Sequence, residues 1–166
     1  MLPDVKEDME NGPEKCSTAY IGKLVSLLYT RYKSGEKPIT LVSMDNCSHN
    51  GTKLQNAVLD FVKTWTENGK AQEGFGLCQN KVSYPWSMID KITPRPADAV
   101  IDMLKEVGFE DTEAVVTSKN TFVAPFVNAE ETQYLVIEDD FKNGKLPLDK
   151  GGIIYTSRNT VDKVEK

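Results

Sequence analysis

Apolar residues set the first pattern along this chain. Ile21, Leu24, Val25, Leu28 and Tyr32 recur at helical spacing and form one apolar face. The spacing predicts a helix from Ser17 or Thr18, both N-cap residue types, to about Lys33, with Gly35 as its stop. Pro38 then opens the β-branched run Ile39-Thr40-Leu41-Val42, which reads as a short buried strand. The chain turns abruptly polar at Ser43-Met44-Asp45-Asn46-Cys47-Ser48-His49-Asn50-Gly51, where Gly51 supplies backbone freedom. Thr52-Lys53-Leu54 opens a second helical pattern. Leu54, Ala57, Val58, Phe61, Val62 and Trp65 mark its buried face, with Trp65 as core and an end near Gly69. Helix, strand and helix in this order are the repeating unit of a parallel, layered sheet.

The pattern changes further on. Val82-Ser83-Tyr84 is a short strand limited by Pro85. Pro94 and Pro96 punctuate the chain, and Ala97 to Val107 reads as a third helix with Val100, Ile101 and Leu104 inward, ended by Gly108. Ala114-Val115-Val116, Thr121-Phe122-Val123 and Gln133-Tyr134-Leu135-Val136-Ile137 are strand-like with no helix between them, which predicts an antiparallel or mixed extension of the sheet in the last third. Phe141 to Gly152 reads as a loop and Ile153-Ile154-Tyr155 as a final strand. The tail Asn159 to Lys166 has helical character but too few apolar residues to be stable alone, and Met1 to Lys15 reads as loop or frayed helix.

Composition narrows the classes. The chain has 166 residues, enough for one domain with a core, and a hydrophobic fraction of 39%. A net charge of -5, with basic residues scattered among acids, argues against a nucleic-acid partner. No apolar run is long enough to span a membrane, and no signal peptide is visible at the acidic start. Cys16, Cys47 and Cys78 are widely spaced with no CxxC, which reads as reduced thiols of a cytoplasmic protein and not as a metal site. Asn46-Cys47-Ser48 and Asn50-Gly51-Thr52 match the glycosylation sequon by coincidence under that reading.

The candidate chemistry lies in the polar stretch. Asp45, Asn46, Ser48, His49 and Asn50 stand where a strand empties toward a helix, and ligands of open α/β sheets bind at that edge. His49 is the chain's only imidazole and reads as a solvated loop residue. Gly74-Phe75-Gly76 lacks a third glycine and follows no strand, so it is no dinucleotide fingerprint. No acid–base constellation is apparent. On residues alone this is an α/β domain with a polar site at a strand end.

Two stretches carry a resemblance. Ser43-Met44-Asp45-Asn46-Cys47-Ser48-His49-Asn50-Gly51 resembles the S-C-D-N, then N-G motif of the polyol-specific long-chain dehydrogenases. Tyr84-Pro85-Trp86-Ser87-Met88-Ile89-Asp90-Lys91-Ile92-Thr93-Pro94 resembles that family's F-P-x-T-M-V-D-R-I-T-P signature, in the same order and at a similar separation. The departures are Tyr84 for Phe, Ile89 for Val and Lys91 for Arg; Lys cannot reproduce a bidentate guanidinium contact. The family includes mannitol dehydrogenase and the fructuronate and tagaturonate reductases, that is, mannonate and altronate oxidoreductases.

The resemblance implies a partial Rossmann-like sheet and an internal fragment: residues 1–166 as a single domain, the second half of a nucleotide-binding domain. The first βαβ unit would precede Met1, and a catalytic helix carrying Lys, Asn and His would follow Lys166. It implies NAD as cofactor; the acid that separates NAD from NADP falls outside this stretch. It assigns Asn46 as the catalytic carboxamide, and Asp45, Asn46, Ile89 and Asp90 as cofactor-binding residues, with no metal. Asp45 would also orient the loop, and Asn50-Gly51 would shape the turn into the helix. Glu165 would stand ahead of the catalytic Lys and gate proton passage, although on a frayed terminus here it would be idle. The substrate would be a sugar acid, with a polyol as in mannitol 2-dehydrogenase as the alternative. A stand-alone sugar-binding module is the alternative of another class. The oligomeric state is left open.

Overall fold

The computed structural model describes residues 1–15, 17–91, 93–129 and 135–165, with only the backbone of 77 and 78. Cys16 and the side chain of Cys78 lie outside the described residues, as do Gln133 and Tyr134 of the strand expected there; Cys47 carries a free thiol. The chain divides into two compact units, Met1–Ile89 with Leu135–Lys166, and Asp90–Tyr134.

The first unit opens on α1 (Pro3–Asn11), a docked helix where loop or frayed helix was expected. Pro3 presets the first helical turn, and the far end is held by buried Asp8 and Met9. Helix α2 (Tyr20–Lys33) starts after the predicted N-caps, with Ala19 in the cap position. The capping oxygens come from α1 instead: the Asp8 carboxylate accepts the backbone N–H of Thr18 at 3.0 Å and of Ala19 at 2.8 Å. Gly22 makes room for that carboxylate, since a Cβ there would overlap Oδ2 and lie 3.0 Å from Cγ. The indole N–H of Trp65 donates to the Asp8 carbonyl at 3.1 Å. Asp8→Ala is therefore expected to lower stability by about 2 kcal/mol, read from denaturant unfolding, because it strands the Thr18 and Ala19 N–H groups.

Strand β1 (Ile39–Thr40) leads to α3 (Asn50–Glu67), followed by the short α4 (Gly74–Leu77). The core lies between α2 and α3. Val25, Leu28 and Tyr29 pack with Val58, Phe61, Val62 and Trp65, and Phe75 of α4 closes the cluster. Trp65 and Phe75 are both 0% exposed, and each such side chain contributes about 2–3 kcal/mol of apolar burial. Strand β2 (Val82–Ser83) pairs in parallel with β1, Ile39 opposite Val82, and the Leu41 N–H extends the ladder to the Ser83 carbonyl at 2.9 Å. The helix–strand–helix pattern thus yields the parallel pair it predicts. Strand β3 (Ser87–Met88) follows directly.

The second unit holds α5 (Asp98–Glu106), whose C-terminus passes through Val107 into Gly108 at φ +84°. Val100, Ile101 and Leu104 are half-buried, and no residue of α5 is fully buried. Strands β4 (Val115–Val116) and β5 (Phe122–Val123) pair antiparallel but form a two-stranded sheet of their own, where an extension of the main sheet was expected. The Arg95 guanidinium lies 4.8 Å over the Phe122 ring.

Back in the first unit, β6 (Leu135–Glu138) pairs antiparallel with β3 and parallel with β7 (Ile153–Thr156). The order β3-β6-β7 gives the mixed pairing expected of the last third, in a sheet separate from the β1–β2 pair. Helix α6 (Arg158–Val164) is N-capped by Ser157, which accepts the Thr160 N–H at 3.3 Å, and Val161 is 0% exposed. The tail is therefore docked, its stability coming from packing on the sheet. No helix among the described residues is long and apolar enough to cross a membrane.

Candidate functional site

The loop after β1 is organised by Asn50, the first residue of α3, which is 1% exposed. Its Nδ2 donates toward the Ser43 carbonyl (3.3 Å), the Asp45 carbonyl (3.0 Å) and the Ser87 carbonyl and hydroxyl (2.9 Å each). Its Oδ1 accepts the N–H of Gly51 at 2.7 Å and of Ser87 at 3.0 Å. The Ser87 hydroxyl donates to the Ser43 carbonyl at 2.5 Å. One carboxamide thus ties the loop, the helix start and β3 together.

Asn46 and Asp45 sit on the exposed side of that loop. The Asn46 carboxamide makes no hydrogen bond among the described residues, so its donors are available to a ligand. Asp45 contributes its carbonyl to Asn50 and to the Cys47 N–H (2.9 Å), and its carboxylate accepts from the Cys47 thiol at 3.5 Å. Ile89 is half-buried, one residue past β3. Asp90 is exposed and belongs to the other unit.

His49 is exposed, in keeping with the solvated-loop reading, but it has partners that reading did not give it. It takes the left-handed backbone, φ 56°, at the N-cap of α3. Its Nε2 is 2.9 Å from the Asp162 carboxylate, and its ring stacks on Trp86 with centroids 4.1 Å apart. Its N–H donates to Glu165 Oε2 at 3.2 Å. Glu165 is therefore engaged where an idle, frayed terminus was expected, and its Oε1 is buried with no hydrogen-bond partner among the described residues. Trp86 in turn donates its indole N–H to Thr52 (2.8 Å) and lies 5.0 Å from the Arg158 guanidinium, which bonds Glu138 at 2.9 Å. These partners are far apart in sequence, so no local signal announces them. The ligand atoms of His49, Asp162 and Glu165 lie within 4.8 Å of one another, and two of the bonds above already join these residues.

The arrangement presents neutral amide donors at the carboxyl end of a parallel pair, on a loop fixed by buried bonds. Such a group stabilises negative charge building on an oxygen without itself losing a proton.

Residues 8–150 match the model of the mannitol dehydrogenase Rossmann domain. The chain belongs to that family. Its relatives include a D-mannonate oxidoreductase of Thermotoga maritima, 44% identical over 169 aligned residues that cover 100% of this chain and 31% of the relative. A mannitol 2-dehydrogenase of Neosartorya fischeri is 30% identical, over 99% of this chain and 30% of its own. The solved ternary complex of Pseudomonas fluorescens mannitol 2-dehydrogenase with NAD and D-mannitol superposes with a TM-score of 0.62 at 27% identity, covering 99% of this chain and 29% of that one. This chain therefore spans about three tenths of the length of the curated relatives it matches. Family membership agrees with what the two motifs imply, and it makes the fold a Rossmann-type α/β domain.

Proposed function

We propose that this chain is part of the nucleotide-binding domain of a longer NAD-dependent oxidoreductase of the mannonate or altronate oxidoreductase type. The enzyme would interconvert a hexuronate keto sugar acid and its aldonate. The observation that carries this reading is the 44% identity to a D-mannonate oxidoreductase along the whole chain, against 30% to a mannitol 2-dehydrogenase.

The residues present fit a nicotinamide cofactor: the loop at the carboxyl end of β1 is open, and the Asn46 carboxamide on it has uncommitted donors. When bound, that cofactor supplies or accepts the hydride. In the reducing direction, with hydride delivered to the keto carbon, negative charge would build on the carbonyl oxygen and a proton would complete the alcohol. Asn46 holds the oxygen and stabilises its growing charge. Asp45 and Ile89 line the cofactor in this reading, and Asp90 is assigned to it on the motif alone. Glu165 Oε1, buried and without a hydrogen-bond partner among the described residues, is suited to take and pass the proton. The reading carries a cytoplasmic location with it, where pools of nicotinamide cofactor turn over.

The test is hydride transfer by the full-length protein with fructuronate, tagaturonate and D-mannitol, each with NAD(H) and NADP(H). Turnover on a hexuronate with NADH, exceeding that on mannitol, is expected. Turnover on mannitol alone would give the reaction to the polyol branch, and sugar binding with no hydride transfer would make this a binding module.

A further inference from the structure

We propose that Asn50 and Ser87 form a positioning clamp for the reacting-group contact made by Asn46. The inference rests on the functional reading above and names the residues that hold its central side chain in place.

Asn46 itself is exposed and unbonded among the described residues, so its own contacts do not fix where it points. Its backbone is fixed by its neighbours. The carbonyls of Ser43 and Asp45 both face the Nδ2 of Asn50, at 3.3 and 3.0 Å. The Ser43 carbonyl is held a second time by the Ser87 hydroxyl at 2.5 Å. Ser87 is anchored in β3, opposite Ile137 of β6, and exchanges bonds with both ends of the Asn50 carboxamide. The loop is thus tied to the sheet through two buried polar side chains, Asn50 at 1% and Ser87 at 3% exposure.

The chemistry of the clamp is directional. Only a side chain with donors on one end and an acceptor on the other serves the carbonyls and the two N–H groups together. All of Asn50's donor capacity is spent on its own chain, so it has none left for a substrate. A buried, fully satisfied amide of this kind sets geometry, and loss of about 1 Å of placement at a catalytic donor costs on the order of 10²-fold in rate.

Asn50→Asp keeps the acceptor and the shape but turns a carboxylate toward carbonyl oxygens; Ser87→Ala removes one hydroxyl and is the gentler variant, included in case the first fails to fold. In the full-length protein, either substitution is expected to lower kcat, by up to about 10²-fold for Asn50→Asp, with KM nearly unchanged. The decisive arm is a double-mutant cycle. In an Asn46→Ala background the clamp substitutions should cost little further, because they act through Asn46. Losses that multiply independently of Asn46 would overturn the proposal. A second readout needs no activity: amide hydrogen exchange across residues 43–49 of the 166-residue chain should quicken in the clamp variants while exchange in α2 and α3 does not. Unchanged protection of that loop would overturn the clamp even if the enzyme is active. Absence of turnover in the unsubstituted protein would count against the functional reading instead, and the exchange result would still decide the clamp.

Discussion

Asn46→Ala in the full-length protein is expected to lower hydride-transfer turnover by about 10²–10³-fold, the usual cost of one oxyanion donor, while leaving stability within about 0.5 kcal/mol. The first half follows from what the side chain offers. Its amide is uncommitted among the described residues and stands at the carboxyl edge of the β1–β2 pair. The second half follows from exposure: an unbonded surface carboxamide leaves no cavity and strands no partner when removed. Steady-state kinetics together with urea unfolding of the same variant separate the two effects. A variant that lost stability in step with turnover would mean that Asn46 is structural.

Gly51→Ala is expected to do the reverse. A Cβ at Gly51 would meet the Pro85 carbonyl oxygen at 2.7 Å and overlap the Tyr84 carbonyl, both of them backbone. Neither can swing aside as a side chain tip can. The start of α3 would have to lift from the β2–β3 connection, and the Asn50 bonds to Ser87 would go with it. Overpacking of this kind costs about 3 kcal/mol, read as a fall in the urea midpoint. Retention of the midpoint would show that α3 and the connection are not in close contact.

These two positions also show what the sequence discloses. The polar stretch after a β-branched run marked the candidate site, and the order of its residues carried the family. Its internal physics was hidden. Gly51 reads as a source of backbone freedom, yet it is helical here; the left-handed residue is His49 at φ 56°, and Gly51 is needed for closeness. Asn50 reads as a turn-former, but its role depends on Ser87, which is 37 positions away. The same limit applies at the ends of the chain. Asp8 and Val161 lie in segments with weak apolar periodicity, so each reads as loop or marginal helix; both are buried because distant elements supply their partners. Periodicity found α2 and α3 because their apolar faces are long enough to be read without those partners. Two-residue strands such as β3 offer no period at all.

The central claim is that the Asn46 carboxamide meets the reacting oxygen of a sugar acid. A crystal structure of the full-length protein with NAD and an aldonate tests it most directly. Asn46 Nδ2 is expected within about 2.7–3.2 Å of the oxygen on the carbon that exchanges hydride. An oxygen held wholly by other groups, with Asn46 turned to solvent, would contradict it.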